Sequence, residues 1–173
     1  PNHSYIVACD VASGDGGEFC SNSALVVIDV NTKEQVMEFT SKTIKPNDFA
    51  DKAIAIAKWF HGAFLAWEHG GPGTAFTTQV IDRCYGNIYK RTTLDKSTRK
   101  TTEKVGFVNR GDAREKLFSD LYRAVRMGDL VIQSKVLGEE FTQYIRDDKD
   151  SIHHVSIESN NAAHGDRVIA IGV

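Results

Sequence analysis

Three acidic residues in this 173-residue chain stand where backbone elements should end or begin, and their types suit hard-metal chemistry. Asp10 closes the β-rich run "SYIVACD". Glu68 closes "AFLAW", a short continuous apolar run. Asp166 follows Gly165 and opens the apolar-periodic segment "DRVIAIGV". Carboxylates that converge without a basic partner repel one another. Around Mg²⁺ or Mn²⁺, which prefer hard oxygen ligands, the same convergence becomes favourable. Two such ions ~3.5–4 Å apart can activate a water and stabilise the leaving oxygen in an in-line phosphoryl displacement. Each acid alone fits an ordinary strand end or, for Asp166, a helix N-terminus that favours negative charge. The set acquires meaning only if one sheet edge gathers all three. Gly70, Gly71 and Gly73, just after Glu68, would let a phosphate backbone come close.

Other reactive side chains form weaker patterns. His69 and His164 flank two of the acids and could move a proton or touch phosphate, although such residues more often only hydrogen-bond to a neighbour. His153 and His154 are adjacent in an extended run, so they point to opposite faces and form no joint metal site. Ser13 has no base placed beside it, and "SGDGG" lacks the lysine of a phosphate-binding loop. Cys9, Cys20 and Cys84 are odd in number and lack metal-type spacing, which argues for a reducing compartment. Cys9 and Cys84 lie among apolar residues and read as core. Trp59 and Trp67 also read as core.

The elements that must position the acids follow from periodicity. "SYIVACD" (4–10), "ALVVIDV" (24–30) and "QVMEFTSKTI" (35–44) are strands with short links, which suggests an antiparallel meander. Asn47 is placed to cap a helix in which Phe49, Ala53, Ile56, Ala57 and Phe60 recur at helical spacing. "AFLAW" (63–67) then reads as a strand buried on both faces. A second helix starts near Pro72 and stops at Gly86, with Phe76, Val80 and Cys84 on one face. "NIYK" (87–90) is a fifth short strand. "RTTLDKSTRKTTEKVGF" is a long exposed loop or hairpin. A helix spans about Asp112 to Met127 with Leu117, Leu121, Ala124 and Val125 inward, and Gly128 ends it. "DLVIQ" is extended, Ser134 caps a short helix carrying Val136, Leu137, Phe141 and Tyr144, "IHHVSI" (152–157) is extended, and the chain closes on a helix with Ile169 and Val173 inward. A strand–helix–strand unit gives parallel neighbours. The expected fold is therefore α/β: a mixed sheet, antiparallel meander plus parallel strands, with helices on both faces and a site at the carboxyl ends of the parallel strands.

Length fits one domain, 1–173, and no apolar run approaches a membrane span. The chain begins without Met and ends inside an apolar-periodic segment, so it reads as a domain excised from a longer protein. Net charge is −2, yet residues 90 to 116 carry nine basic and four acidic side chains, a local +5. Such a stripe either attracts a polyanion or is ordinary solvated surface.

The residues that carry the pattern resemble a known family. "IVACDVASGDGG", "LAWEHGGPGTAF", "GFVNRGDAREKLFSDLYRAVRMGDLVI" and "AHGDRVIAIGV", in that order and spacing, resemble the C-terminal nuclease domain of the large terminase subunit of tailed bacteriophages, within the ribonuclease H-like superfamily. The resemblance covers nearly the whole chain. It implies Asp10, Glu68 and Asp166 as catalytic ligands of one or two Mg²⁺ or Mn²⁺ ions. It also implies cleavage of double-stranded, concatemeric viral DNA with little sequence preference, in the host cytoplasm. A preceding ATPase domain, the portal protein and the small terminase subunit are implied partners, and the isolated domain is expected to be monomeric. Lys96, Arg99, Lys100 and Lys104 are the expected contacts to the DNA backbone. One departure stands out. The family often has two adjacent acids in its closing motif, and Gly165 occupies the first position here; Asp15 is the auxiliary acid that could help. Rival readings are a junction resolvase or transposase core of the same superfamily, a fragment of an actin-like ATP-binding domain, and a non-catalytic DNA-docking module.

Overall fold

The computed structural model describes residues 3–17, 20–94, 99–146, 152–154 and 165–173. Its centre is a four-stranded sheet in the order β3-β2-β1-β4, built from β1 (Tyr5–Asp10), β2 (Ser23–Asp29), β3 (Glu34–Ser41) and β4 (Phe64–Trp67). The first three strands form the expected antiparallel meander, and β4 lies parallel to β1. The crossover between β1's meander and β4 is helix α1 (Pro46–Trp59). Pro46, not Asn47, opens this helix: proline's fixed φ suits the first turn and it has no N–H to satisfy.

Sheet register decides the two faces. Val7 and Cys9 alternate inward on one face, beside Leu25, Val27, Leu65 and Trp67. There they meet Phe49, Ala53 and Ala57 of α1 and Phe76 and Val80 of α2 (Gly73–Asp82). Phe76 packs on both Phe49 and Trp67, with ring centroids 5.5 and 5.6 Å apart. The opposite face is lined by small residues, Ala8, Ala24 and Ala66, together with Val26. Small side chains let a helix sit close, and α5 (Asp166–Gly172) packs there through Val168, Ile169 and Ala170. Helix α3 (Asp112–Met127) covers α5 with Leu117, Phe118 and Leu121, and Gly128, at φ 72, stops it as expected. Ser134 caps α4 (Lys135–Thr142) by accepting from the Leu137 N–H at 3.1 Å.

The fifth position of the sheet is filled by two separate pieces of chain. Leu65 N–H donates to Asn87 and Tyr89 N–H donates to Leu65, each at 2.9 Å, so 87–89 runs parallel to β4. The chain then leaves as a hairpin of β5 (Lys90–Leu94) and β6 (Thr101–Val105). It re-enters at Phe107, whose N–H donates to Trp67 at 2.8 Å and whose carbonyl accepts from His69 at 2.7 Å. A further two-stranded ribbon pairs β7 (Tyr144–Arg146) with β8 (Ile152–His154).

Further sequence expectations need correction. Trp59 is 81% exposed whereas Trp67 is wholly buried, because Trp59, the last residue of α1, lines an open groove beside β3 and lies off the buried face of Phe49, Ala53 and Ala57. Cys84 is exposed at φ 55, because α2 ends at Asp82 and the chain turns before reaching it. Val136 faces outward and Tyr144 lies beyond α4, in β7. Gly73 gives no clearance to a ligand: a Cβ there would collide with the Glu68 carbonyl, so the glycine serves the turn itself. No helix among the described residues is long and apolar enough to cross a membrane.

Candidate metal centre

Asp10 is the last residue of β1, and Glu68 follows the last residue of β4. Their strands are parallel with Cys9 opposite Trp67, and Glu68 N–H donates to the Cys9 carbonyl at 3.0 Å. The two acids are thus level at one sheet edge. Because Cys9 and Trp67 face α1 and α2, the next residue of each strand faces the α5 side. Asp166, the first residue of α5, arrives on that side and is itself buried.

Electrostatics record the convergence. Burial pushes the Asp10 carboxyl well above its usual range, and the nearby charges of Glu68 and Asp166 push it further, against the Val11 N–H and the Arg114 charge. Burial also raises Glu68, opposed by hydrogen bonds from Asn109 and Asp10 and by the charges of Arg114 and Arg110. Among the described residues, no three His, Cys, Asp or Glu side chains close around a common metal position. The donor chemistry still suits a hard cation. Two carboxyls stand level, a third carboxylate lies near, and a carbonyl oxygen beside them, Asn109 Oδ1, is buried without a hydrogen-bond partner.

Residues outside the sequence prediction hold these acids. Asn22 grips Asp166 Oδ2 twice, through its backbone N–H at 2.7 Å and its side-chain amide at 2.9 Å. Asn109 donates to Glu68 Oε2 at 3.2 Å. Glu140 accepts from the Arg167 backbone N–H at 3.1 Å and from its guanidinium, which also reaches Thr40 at 3.2 Å on β3. This anchors the first turn of α5. Tyr144 explains Gly165: its hydroxyl donates to the Gly165 carbonyl at 3.0 Å, and any Cβ at 165 would run into the phenol. Burial, first of all, keeps that phenol protonated far above its ordinary range. Phe118 stacks on Tyr144 with centroids 4.8 Å apart, and Arg114 lies over Phe118 at 5.1 Å.

The remaining predicted residues fall elsewhere. Asp15 forms an exposed ion pair with Lys45 at 3.0 Å, so it is already engaged by a lysine. His69 lies against Thr77, Nδ1 to Oγ1 at 3.1 Å. Thr77 donates to the Gly73 carbonyl and accepts from Trp67 Nε1, so His69 acts as a donor there. Burial and the Arg91 charge lower the His69 pKa. His164 and Lys96 lie outside the described residues. Arg99, Lys100 and Lys104 are exposed on the hairpin. Arg91 instead points inward and donates to the carbonyls of Val105 and Gly106, stapling the hairpin base. Only Asn22, in a turn-rich stretch, and Asn109, in an Asn-Arg pair after an apolar residue, carried any sequence signal.

The mixed sheet, with helices on both faces and carboxylates at its parallel edge, is the ribonuclease H-like fold. Within that class the chain has the fold of large terminase nuclease domains. It is similar to the large terminase nuclease of thermophilic phage G20c, at 16% identity and a TM-score of 0.72 over 99% of this chain and 81% of that one. It is similar to the large terminase nuclease domain of Thermus phage P74-26, at 15% identity and a TM-score of 0.69 over 99% and 78%. The nuclease domain of the large terminase subunit of bacterial virus Sf6 matches at 17% identity and a TM-score of 0.59 over 98% and 86%. The G20c nuclease has been solved with bound magnesium and with bound cobalt, and the Sf6 domain with manganese. No family model and no curated protein matches the chain.

Proposed function

We propose that this chain is a divalent-cation-dependent endonuclease that cuts double-stranded DNA during viral genome packaging, at the steps that sever the concatemer. The observation that carries the reading is the level placement of Asp10 and Glu68 on adjacent parallel strands, with Asp166 brought to the same edge from α5. The fold shared with terminase nucleases supports it. Asp10, Glu68 and Asp166 would hold Mg²⁺ or Mn²⁺, one ion or two. When bound, such cations supply charge neutralisation at the phosphate and a nucleophile at neutral pH.

The chain's own residues do the rest. Asn22 and Asn109 orient Asp166 and Glu68. Burial and the neighbouring acids hold the Asp10 carboxyl above its usual range, so cation affinity rises with pH. Arg110 and Arg114, whose charges reach Glu68, are placed to pair with phosphate oxygens and offset the local negative charge. Arg99, Lys100 and Lys104 on the hairpin provide sequence-independent backbone contacts.

Plasmid incubation tests the reading. Nicking and linearisation in Mn²⁺, abolished by EDTA and by Asp10→Asn, is the expected result. ATP binding without DNA cleavage would overturn it. Neutralising Arg99, Lys100 and Lys104 together should weaken DNA binding and flatten its salt dependence; unchanged binding would return the stripe to ordinary surface.

A further inference from the structure

We propose that Asn109 is itself a ligand of the cation at this site, giving it a neutral oxygen through Oδ1 alongside the carboxylates of Asp10 and Glu68. The inference rests on the metal-dependent reading above and adds a residue to its ligand set.

The orientation of the amide is fixed by its neighbour. Asn109 Nδ2 donates to Glu68 Oε2 at 3.2 Å. With Nδ2 committed to that oxygen, Oδ1 is directed away from it. Oδ1 therefore has one position, and it is buried there without a hydrogen-bond partner. A buried carbonyl left unpaired costs about 1–3 kcal/mol. That cost at an otherwise well-bonded edge points to a partner of another kind. Hard divalent cations take amide carbonyls together with carboxylates. Oδ1 and Nδ2 share one carbon, so Oδ1 belongs to the same edge as Glu68 Oε2.

The backbone puts Asn109 there by construction. Phe107 is hydrogen-bonded to Trp67 and His69, the two residues that flank Glu68. Asn109, two residues further, is carried past the same edge, and Gly111 at φ 53 then turns the chain into α3. Charge favours a neutral donor at this point. Three carboxylates already repel, and a fourth anion would add to the repulsion whereas an amide oxygen does not.

The test uses the whole chain expressed with asparagine labelled with ¹³C at Cγ, loaded with Mn²⁺ and read by electron–nuclear double resonance. A ¹³C coupling to Mn²⁺ is expected in the natural chain. It should vanish in Asn109→Asp and Asn109→Ala and persist in Asn22→Ala, which touches the site from the other side. Calorimetry should show Mn²⁺ affinity about 10–100-fold weaker in Asn109→Ala, the range for residues that support a metal site, and at least natural affinity in Asn109→Asp, which keeps an oxygen. A bound Mn²⁺ with no ¹³C coupling, or a coupling that survives Asn109→Asp, overturns the proposal while leaving the nuclease reading standing. A natural chain that binds no Mn²⁺ and cuts no DNA removes both.

Discussion

The two faces of the central sheet are made from the same strands yet do opposite work. Facing α1 and α2, Val7, Cys9, Leu25, Leu65 and Trp67 are large, apolar and closed over. Facing α5, the intervening positions are Ala8, Ala24 and Ala66, and the row ends in Asp10 and Glu68. A period-2 backbone makes this division automatic, and a one-residue slip would exchange the faces. Bulk on one side supplies the stability that lets the other side gather buried, mutually repelling acids. Alanines on that second side matter as much as the acids, because only a close-packed α5 can deliver Asp166.

Six substitutions, one of them only in combination, would break or sharpen this contrast. Glu68→Gln should cut DNA cleavage at least ~10³-fold, the scale of losing a group that acts in the transition state, with no loss of thermal stability; single-turnover cleavage and a melting curve report the two separately. Trp67→Ala, one residue away on the other face, should do the reverse and cost about 3–5 kcal/mol in urea unfolding. Gly165→Ala should cost about 1–3 kcal/mol by overpacking Tyr144, and combining it with Tyr144→Ala should relieve the clash without restoring the lost phenol contacts. Asp10→Asn should raise the melting temperature in EDTA at pH 7 by about 2–4 °C, roughly the shift per kcal/mol at this size. The sign follows from linkage: Asp10 titrates higher in the fold than its ordinary 3.8, so the native state binds more protons and stability falls as pH rises through that interval. The two proteins should therefore converge in stability below pH 3.8, and added Mn²⁺ should favour the natural chain. Trp59→Ser should change stability by no more than ~0.5 kcal/mol, which a denaturant titration would check against Trp67→Ala.

Local pattern made the scaffold of this site legible. The strand-end acids, the crossover helix and the closing helix are all short-range signals, and a parallel β1–β4 pair follows once the crossover is read. The supports of the site were not legible in the same way. Asn22 meets Asp166 across 144 positions, and Asn109 meets Glu68 across 41, distances at which sequence periodicity says nothing. Tyr144 reads as a helix residue by spacing and becomes a strand residue because Thr142 ends α4. Trp59 and Cys84 show the converse error. Cys84 continues an apolar stripe by type after α2 has ended, and Trp59 is apolar by type but lies off the buried face of α1.

The hairpin of β5 and β6 has a consequence for how such a domain can vary. The chain leaves the sheet at Tyr89 and returns at Phe107, and Gly106 N–H donates to the Tyr89 carbonyl at 3.1 Å, so the two stumps are tied to each other as well as to β4. The described residues between them, 90–94 and 99–106, form an insert between two pieces that each pair parallel with β4 or its next residue. Descendants of this chain could lengthen, recharge or shed the insert and still keep the backbone bonds that hold Glu68 in place. If the proposed function holds, grip on the polymer and cutting of it can therefore drift at separate rates within one domain.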